Sequence, residues 1–299
     1  MNQDHLPICD YEGSDYQTAF WDEGGRDYED QVEAVALKRL LAESGDLLLE
    51  IGAGAGRNTS RYSGYEHIVL LDYSRTQLIK AKERLGNSDR YTYVAADTYN
   101  LPFVGELFSG ATMIRTMHHL VEPVRALRQI REVLQSGGTF ILEYANKFNL
   151  KSIIRYTFRR QDWSPFSLDP VEFADLNFDF HPQAVRNWLQ DCGFSIDRQL
   201  TVSHFRINIL KRYIPLKLLV SMDSVMQLTG DFWQLTPSVF VRSTAVGDTP
   251  RIKKSTFFRC AECGHSPLTK EEFGFECPSC SRCWSYKNGI YDFRNPISG

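Results

Sequence analysis

Two groups of residues have the types and spacing to do chemistry. Near the C-terminal end, Cys260-Ala-Glu-Cys263 and Cys277-Pro-Ser-Cys280 stand thirteen residues apart, a C-x2-C-x13-C-x2-C pattern. Paired knuckles of this spacing bring four thiolates to one tetrahedral zinc, and an all-cysteine set leaves no open position, which makes the site structural rather than catalytic. Cys283 offers a competing knuckle with Cys280, and His265 a competing ligand. Cys283, however, leads into Trp284, Tyr286, Ile290 and Tyr291, which read as a hairpin turning at Asn288-Gly289. The expected ligands are therefore Cys260, Cys263, Cys277 and Cys280. Far upstream, the apolar run Leu47 to Ile51 breaks into Gly52-Ala53-Gly54-Ala55-Gly56-Arg57. Missing side chains in such a turn let a ligand approach the backbone, and free amides point at it. Asp72 follows Gly52 by twenty residues, at the end of the next apolar run, the place from which a carboxylate holds ribose hydroxyls. The implied chemistry is nucleoside binding.

Elements must position these residues. A chain of 299 residues, 42% hydrophobic and 24% charged, fills one large core or a core plus a small satellite, and is neither disordered nor collagen-like. Five of its seven cysteines lie after residue 259. The polar stretch 244–256 is a natural linker, dividing the chain into residues 1–250 and a zinc ribbon over 251–299. Apolar positions 32, 35, 37, 40 and 41 predict a helix over 30–43. Strands are expected at 47–51, 67–72, 91–95, 107–114 and 138–144, with helices at 75–85 and 122–135 between them. A helix after 181 and strands near 194–205 and 236–243 complete the pattern. Strands alternating with helices build right-handed βαβ units, hence a mostly parallel α/β sheet, Rossmann-like, with helices on both faces.

The glycines at 52, 54 and 56 depart from the dinucleotide fingerprint, whose third glycine would fall on Arg57. Glu50 precedes the loop and Asp97 follows the third strand, an acidic surround that suits a cationic sulfonium better than a pyrophosphate. The segments LLLEIGAGAGRNTSRY, VLLDYS, YVAADTYNLPF and TMHHLVEPVRALRQIREVLQSGGTFILEY, taken in order, resemble the class I S-adenosylmethionine-dependent methyltransferases over residues 45–145. The nearest likeness is to the ubiquinone/menaquinone-type C-methyltransferases with a methyltransferase type 11 domain. That resemblance implies a seven-stranded sheet with a reversed last hairpin and S-adenosylmethionine as cofactor. It implies that Gly52, Gly54 and Gly56 line the methionine and ribose portion with Glu50 close behind, and that Asp72 holds the ribose beside Tyr73 and Ser74. Ala96 and Asp97 would bracket adenine, while Arg115, Thr116 and Met117 would sit near the transferred methyl. The resemblance further implies a lid before the first helix, drawing on Tyr11, Phe20, Trp21, Arg26 and Tyr28, with Arg26 or Arg57 pairing the methionine carboxylate.

Methyl transfer from a sulfonium is an in-line displacement with a good leaving group, so positioning in a water-poor site dominates and a base is optional. Candidate catalytic residues at strand ends are His118, His119 and Tyr144, with Asn146, Asp179 and His181 nearby. Residues 150–181 exceed an ordinary connection and read as a lid or substrate pocket anchored by Trp163, Phe166, Phe173, Phe178 and Phe180. Residues 207–228 mix apolar positions with Lys211, Arg212 and Lys217, which suits a membrane-surface helix, a dimer contact or a pocket cover; Pro215 splits it in two. The net charge of -3 argues against coating nucleic acid. Residues 1–30 carry nine acidic groups against Arg26 alone, which leaves the remainder mildly basic. The expectation is a cytoplasmic enzyme methylating a small or medium organic acceptor. An RNA methyltransferase docking through its ribbon and a cofactor-binding scaffold without activity are the alternatives.

Overall fold

The computed structural model describes residues 6–15, 21, 23–248 and 256–297. Phe20, expected in the lid, and residues 249–255 of the linker lie outside them. The chain begins with α1 (Asp27–Leu40) and β1 (Gly45–Ile51), then β2 (Tyr65–Asp72), α2 (Arg75–Leu85), β3 (Tyr91–Ala95), β4 (Phe108–Met113), α3 (Pro123–Val133) and β5 (Leu134–Ala145). After α4 (Leu150–Thr157) and the strands β6 (Val171–Ala174) and β7 (Asn177–Asp179) come α5 (Pro182–Asp191) and β8 (Phe194–Val202). Then follow α6 (Asn208–Tyr213), α7 (Leu216–Met226) and β9 (Ser238–Ala245). Four short strands end the described chain: β10 (Thr269–Glu271), β11 (Gly274–Glu276), β12 (Cys283–Lys287) and β13 (Ile290–Asp292).

The body of the sheet runs β3-β2-β1-β4-β5-β9-β8. β1 to β5 are parallel and β9 is antiparallel to both β5 and β8, which is the expected seven-stranded arrangement with a reversed last hairpin. Successive residues point to opposite faces, and both faces are buried. Leu48, Ile68 and Leu70 pack with Val32, Leu37 and Leu40 of α1 and Leu78 of α2. Leu49, Ile51, Val69 and Leu71 belong to the core that includes Leu127 and Ile130 of α3 and Leu189 of α5. Helix starts follow from local chemistry: Ser74 caps α2 by accepting the Gln77 N–H at 3.2 Å, and Asn149 caps α4 through the Ser152 N–H at 3.0 Å.

The ribbon is not a detached satellite. β13 pairs in parallel with β3, so β10 to β13 extend the sheet to eleven strands. The hairpin does turn at Asn288 and Gly289, both at positive φ. Phe258, Trp284 and Phe293 join Phe103 and Phe108 in one core, with the Phe258 ring 4.9 Å from that of Phe293.

The two insertions take separate forms. Residues 150–181 contain α4 and the β6–β7 hairpin, with Phe166 and Phe173 exposed and Phe180 buried. The stretch after β8 breaks at Pro215 into α6 and α7, as its proline predicts. Buried Asp223 of α7 accepts the Tyr28 hydroxyl at 2.6 Å and the His204 N–H at 2.8 Å, and Gln227 donates to the Val32 carbonyl at 2.9 Å. This piece thus covers α1. No helix among the described residues is long and apolar enough to cross a membrane.

A ring shared between ribbon and body makes their stabilities inseparable. Phe258→Ala should cost about 3–5 kcal/mol and lower a single urea transition followed by both near- and far-ultraviolet dichroism; two separate transitions would contradict the common core.

Candidate functional site

At the C-terminal edge of the parallel strands lies an open cleft lined from the β1 turn, Asp72, Asp97 and the loop after β4. Its floor is the turn after β1. Gly52, Gly54 and Gly56 all have positive φ, but they do different work. A Cβ on Gly52 would lie 2.0 Å from the Thr116 hydroxyl oxygen, so the absent side chain lets the β4 loop close in. One on Gly54 would meet nothing within 4 Å and would project into open space, where a ligand can approach the backbone. Gly56 instead packs against Ala81 and Leu85 of α2 and does not line the cleft.

Asp72 ends β2 with each carboxylate oxygen held by the backbone: the Gly54 N–H donates to Oδ2 at 2.8 Å and the Ser74 N–H to Oδ1 at 2.9 Å. Burial, and to a smaller extent the charges of Asp10 and Glu12, push this carboxyl up to about 6, although both amide bonds pull the other way. Behind the loop, burial raises Glu50 to about 7, opposed by the Thr59 hydroxyl, which donates to it at 2.6 Å. Asp97, at the end of β3, also lines the cleft and accepts the Tyr99 N–H at 2.8 Å. The expected residues Glu50, Gly52, Gly54, Arg57, Asp72, Tyr73, Asp97, Arg115, Thr116 and His119 are brought together here. Ser74, Ala96 and Met117 are buried behind the lining, Ser74 as the α2 cap.

Charge at the far end is organised by a carboxylate that the sequence reading missed. Glu33 of α1, fully buried, receives Arg57 at 2.8 Å and also Arg115. The two guanidiniums hold its carboxyl below the usual range against the opposing effect of burial. Arg57 additionally pairs with Asp30, and its guanidinium carbon sits 3.6 Å from the Trp21 ring centroid. Glu143 of β5 accepts the Arg115 N–H at 3.0 Å, and Arg115 itself sits at φ 58, a conformation that costs a non-glycine residue. The sequence signal for Glu33 is its place among Val32, Ala36 and Leu37, where it and Glu29 are the two acids on a largely apolar, buried helix face. Arg26 pairs with Glu29 at 3.6 Å and is not among the cleft residues; of the two arginines considered for the methionine carboxylate, only Arg57 lines it.

The histidines divide. His119 Nδ1 lies 2.9 Å from the Leu176 carbonyl, which can only accept, so Nδ1 carries the proton. Its Nε2 is then an acceptor, 3.1 Å from the Tyr11 hydroxyl. Desolvation depresses both histidines, His118 most strongly, with His119 and Arg115 adding to the effect. The His118 ring lies 4.0 Å from that of His119, tilted by 45°, and is not in the lining. Tyr144 is corrected from its expected place: its ring is fully buried in the core and its hydroxyl has no hydrogen-bond partner among the described residues. Burial keeps that phenol protonated. His181 caps α5 through the Gln183 N–H at 3.1 Å, and Asn146 braces the turn before β9 by donating to the Gln234 and Thr236 carbonyls at 2.9 and 2.8 Å. Asp179 is raised to about 6 by burial. Residues 6–15, unremarked in part by motif reading, roof the cleft with Pro7, Ile8, Cys9 and Tyr11.

In the ribbon, the Sγ atoms of Cys260, Cys263, Cys277 and Cys280 all lie within 4.8 Å of one another. The pairs Cys260–Cys280 and Cys263–Cys277 are 3.6 and 3.5 Å apart, close to the roughly 3.8 Å edge of a tetrahedron with 2.3 Å metal–sulfur bonds. Each knuckle turns on a residue at positive φ after its second cysteine, Gly264 and Ser281. Cys283 stands outside the group, its thiol donating to the Ser281 carbonyl at 3.8 Å.

Residues 49–142 match the family model described as a methyltransferase domain. Over 158 residues the chain is 31% identical to the demethylmenaquinone methyltransferase of Clavibacter sepedonicus, covering 52% of this chain and 56% of that protein; it spans about half the length of such curated relatives. Among solved structures it resembles a chain of the complex between the Haloferax volcanii Trm112 methyltransferase activator and its proposed methyltransferase. That likeness has a TM-score of 0.54 at 16% identity, covering 76% of this chain and 94% of that one. A proposed S-adenosylmethionine-dependent methyltransferase of Listeria monocytogenes gives 0.54 at 15%, covering 74% and 99%. The fold is that of the class I S-adenosylmethionine-dependent methyltransferases. Within it, residues 49–142 carry the match to the methyltransferase domain model.

The glycine geometry predicts an order of damage. Positive φ alone makes alanine cost about 1–3 kcal/mol at either position; the overlap with Thr116 should make Gly52→Ala clearly more destabilising than Gly54→Ala in urea denaturation.

Proposed function

We propose that the protein transfers the methyl group of S-adenosylmethionine to a small or medium organic acceptor. The observation that carries this reading is Asp72, a carboxylate aimed by two backbone amides beside the open face of Gly54. Bound there, the cofactor would supply an electrophilic methyl: an acceptor lone pair would bond that carbon in line as the thioether left with the carbon–sulfur pair. The chain's own residues bind, orient and exclude water. Asp72 accepts from the ribose diol, Asp97 from the adenine amine, and Arg57 faces the methionine carboxylate. Trp21 and the roof from Pro7 to Tyr11 keep the site dry. Where the accepting atom must lose a proton, His119 is the base we assign: its unprotonated Nε2 takes the proton of the Tyr11 hydroxyl that donates to it while that hydroxyl takes the acceptor's. The relative's action on demethylmenaquinone supports an aromatic or quinone-like acceptor.

For the ribbon we propose a structural zinc on the four cysteines, with residues 1–250 and 251–299 as the two sequence units joined by a shared core. About 40 residues cannot stabilise themselves by burial alone, so metal and the common core act together. With eight basic and five acidic groups over 251–299 and a tetrathiolate centre adding about -2, the ribbon has little net charge with which to hold RNA.

Labelled S-adenosylmethionine incubated with the protein and fractionated cell extract should place label in small-molecule products. Label in RNA would replace the acceptor class, and none, despite tight cofactor binding, would defeat the enzymatic reading. Calorimetry with S-adenosylhomocysteine should show binding that Asp72→Ala abolishes. Because the diol needs the ionised carboxylate, wild-type affinity should hold above pH 6 and fall about tenfold per unit below it.

A further inference from the structure

The end of the ribbon reaches the cofactor side of the cleft. β13 lies along β3 with Asp292 beside Ala95, and the Phe293 N–H continues onto the Ala95 carbonyl at 2.7 Å. With the Phe293 ring buried in the common core, Arg294 emerges at a fixed place. Asp292 grips its guanidinium as a fork, Nε to Oδ1 at 3.0 Å and Nη2 to Oδ2 at 2.8 Å. The remaining nitrogen, Nη1, donates to the Tyr73 carbonyl and to Glu12 Oε2, both at 3.2 Å. The guanidinium carbon also lies 5.6 Å from the Tyr73 ring centroid. Glu12 sits on the N-terminus of α2, accepting the Arg75 N–H at 2.8 Å, the Thr76 N–H at 3.1 Å and the Thr76 hydroxyl.

We propose that Arg294 is a positioning residue for cofactor binding: it clasps the acidic segment 6–15 onto Tyr73 and α2, so that the ribbon holds the roof of the cleft shut. This rests on the reading of the cleft as the S-adenosylmethionine site. The physical need is electrostatic. A segment bearing Asp10, Glu12 and Asp15 closes over a cleft that already holds Asp72 and Asp97, and Asp10 and Glu12 act on Asp72 as like charges. The α2 terminus offers Glu12 a partial positive charge. Arg294 adds an ion pair at 3.2 Å, its charge shared with Asp292, between a guanidinium 17% exposed and a carboxylate 42% exposed. The same guanidinium fixes the carbonyl and ring of Tyr73, the residue after Asp72. At the other end of the roof, Tyr11 is held by His119, so the segment is pinned on both sides of the cleft.

The test compares wild type, Arg294→Ala, Glu12→Gln and their double variant with Arg259→Ala. Arg259 ties the ribbon to Glu132 of α3 and to the Leu101 carbonyl, away from the roof. Each protein is titrated with S-adenosylhomocysteine by calorimetry, its metal content is measured, and amide exchange is followed over residues 6–15. Arg294→Ala should keep the metal content of the wild type, bind about fivefold or more weakly, and exchange faster over 6–15. Glu12→Gln should weaken binding similarly, and the double variant should be no weaker than the worse single one, as for two groups acting through one contact. Arg259→Ala should bind like the wild type. Wild-type affinity and wild-type exchange in Arg294→Ala would overturn the clasp, as would fully additive losses in the double variant. If Arg294→Ala does not fold, unaltered binding by Glu12→Gln overturns it instead. A wild type that does not bind S-adenosylhomocysteine overturns the cofactor reading, and the clasp with it.

Discussion

A carboxylate shut away from water, Glu33, ties together the parts that surround the far end of the cleft. It belongs to α1, yet its two partners come from the turn after β1 and from the loop after β4. Breaking a buried pair by removing one partner costs about 3–5 kcal/mol because the other charge is left stranded. The three segments therefore cannot drift apart independently. Arg57 is further covered on one face by Trp21, and Arg115 is anchored through its backbone to Glu143. The strained φ of Arg115 persists because both ends of the residue are held.

A second ring of charge surrounds Asp72. Its own amide bonds fix where its oxygens point, while burial raises its affinity for a proton. Glu50, also buried, is raised in the same way. Carboxylates under this strain are stabilised by a ligand that brings hydroxyl donors or positive charge, which matches a ribose diol and a sulfonium. The acid-rich roof follows the same logic, and needs α2 and Arg294 to neutralise it before it can close.

Much of this was legible in the chain. The apolar runs of β1 and β2 are buried on both faces, so they read as parallel strands, and α2 and β3 fall on the residues their patterns predict. The glycine turn, Asp72 and the four cysteines are local patterns with a chemical reason for their spacing, and they were readable for that reason. What was not legible depends on partners distant in sequence. Glu33 looks like a misplaced acid until Arg57 and Arg115 arrive, and Tyr144 looks like a strand-end phenol until the core closes over it. Nothing in Ile290 to Asp292 announces that their hydrogen-bonding partner is β3. The β6–β7 hairpin was hidden because none of its strand residues is fully buried and strands this short carry no periodic signal.

That last pairing has a bearing on how the molecule comes into being. Until β13 is synthesised, β3 presents a bare strand edge, with unpaired amides and carbonyls open to other chains. Its mate lies 197 residues further on, Tyr93 facing Ile290, a contact among the most distant in sequence that the sheet contains, and such contacts close slowly. A nascent chain thus carries a sticky border through most of its synthesis, and the last strand of the ribbon is what finally seals it. A chain in which that last pairing fails would be first an aggregation hazard and only second an incompletely closed cleft.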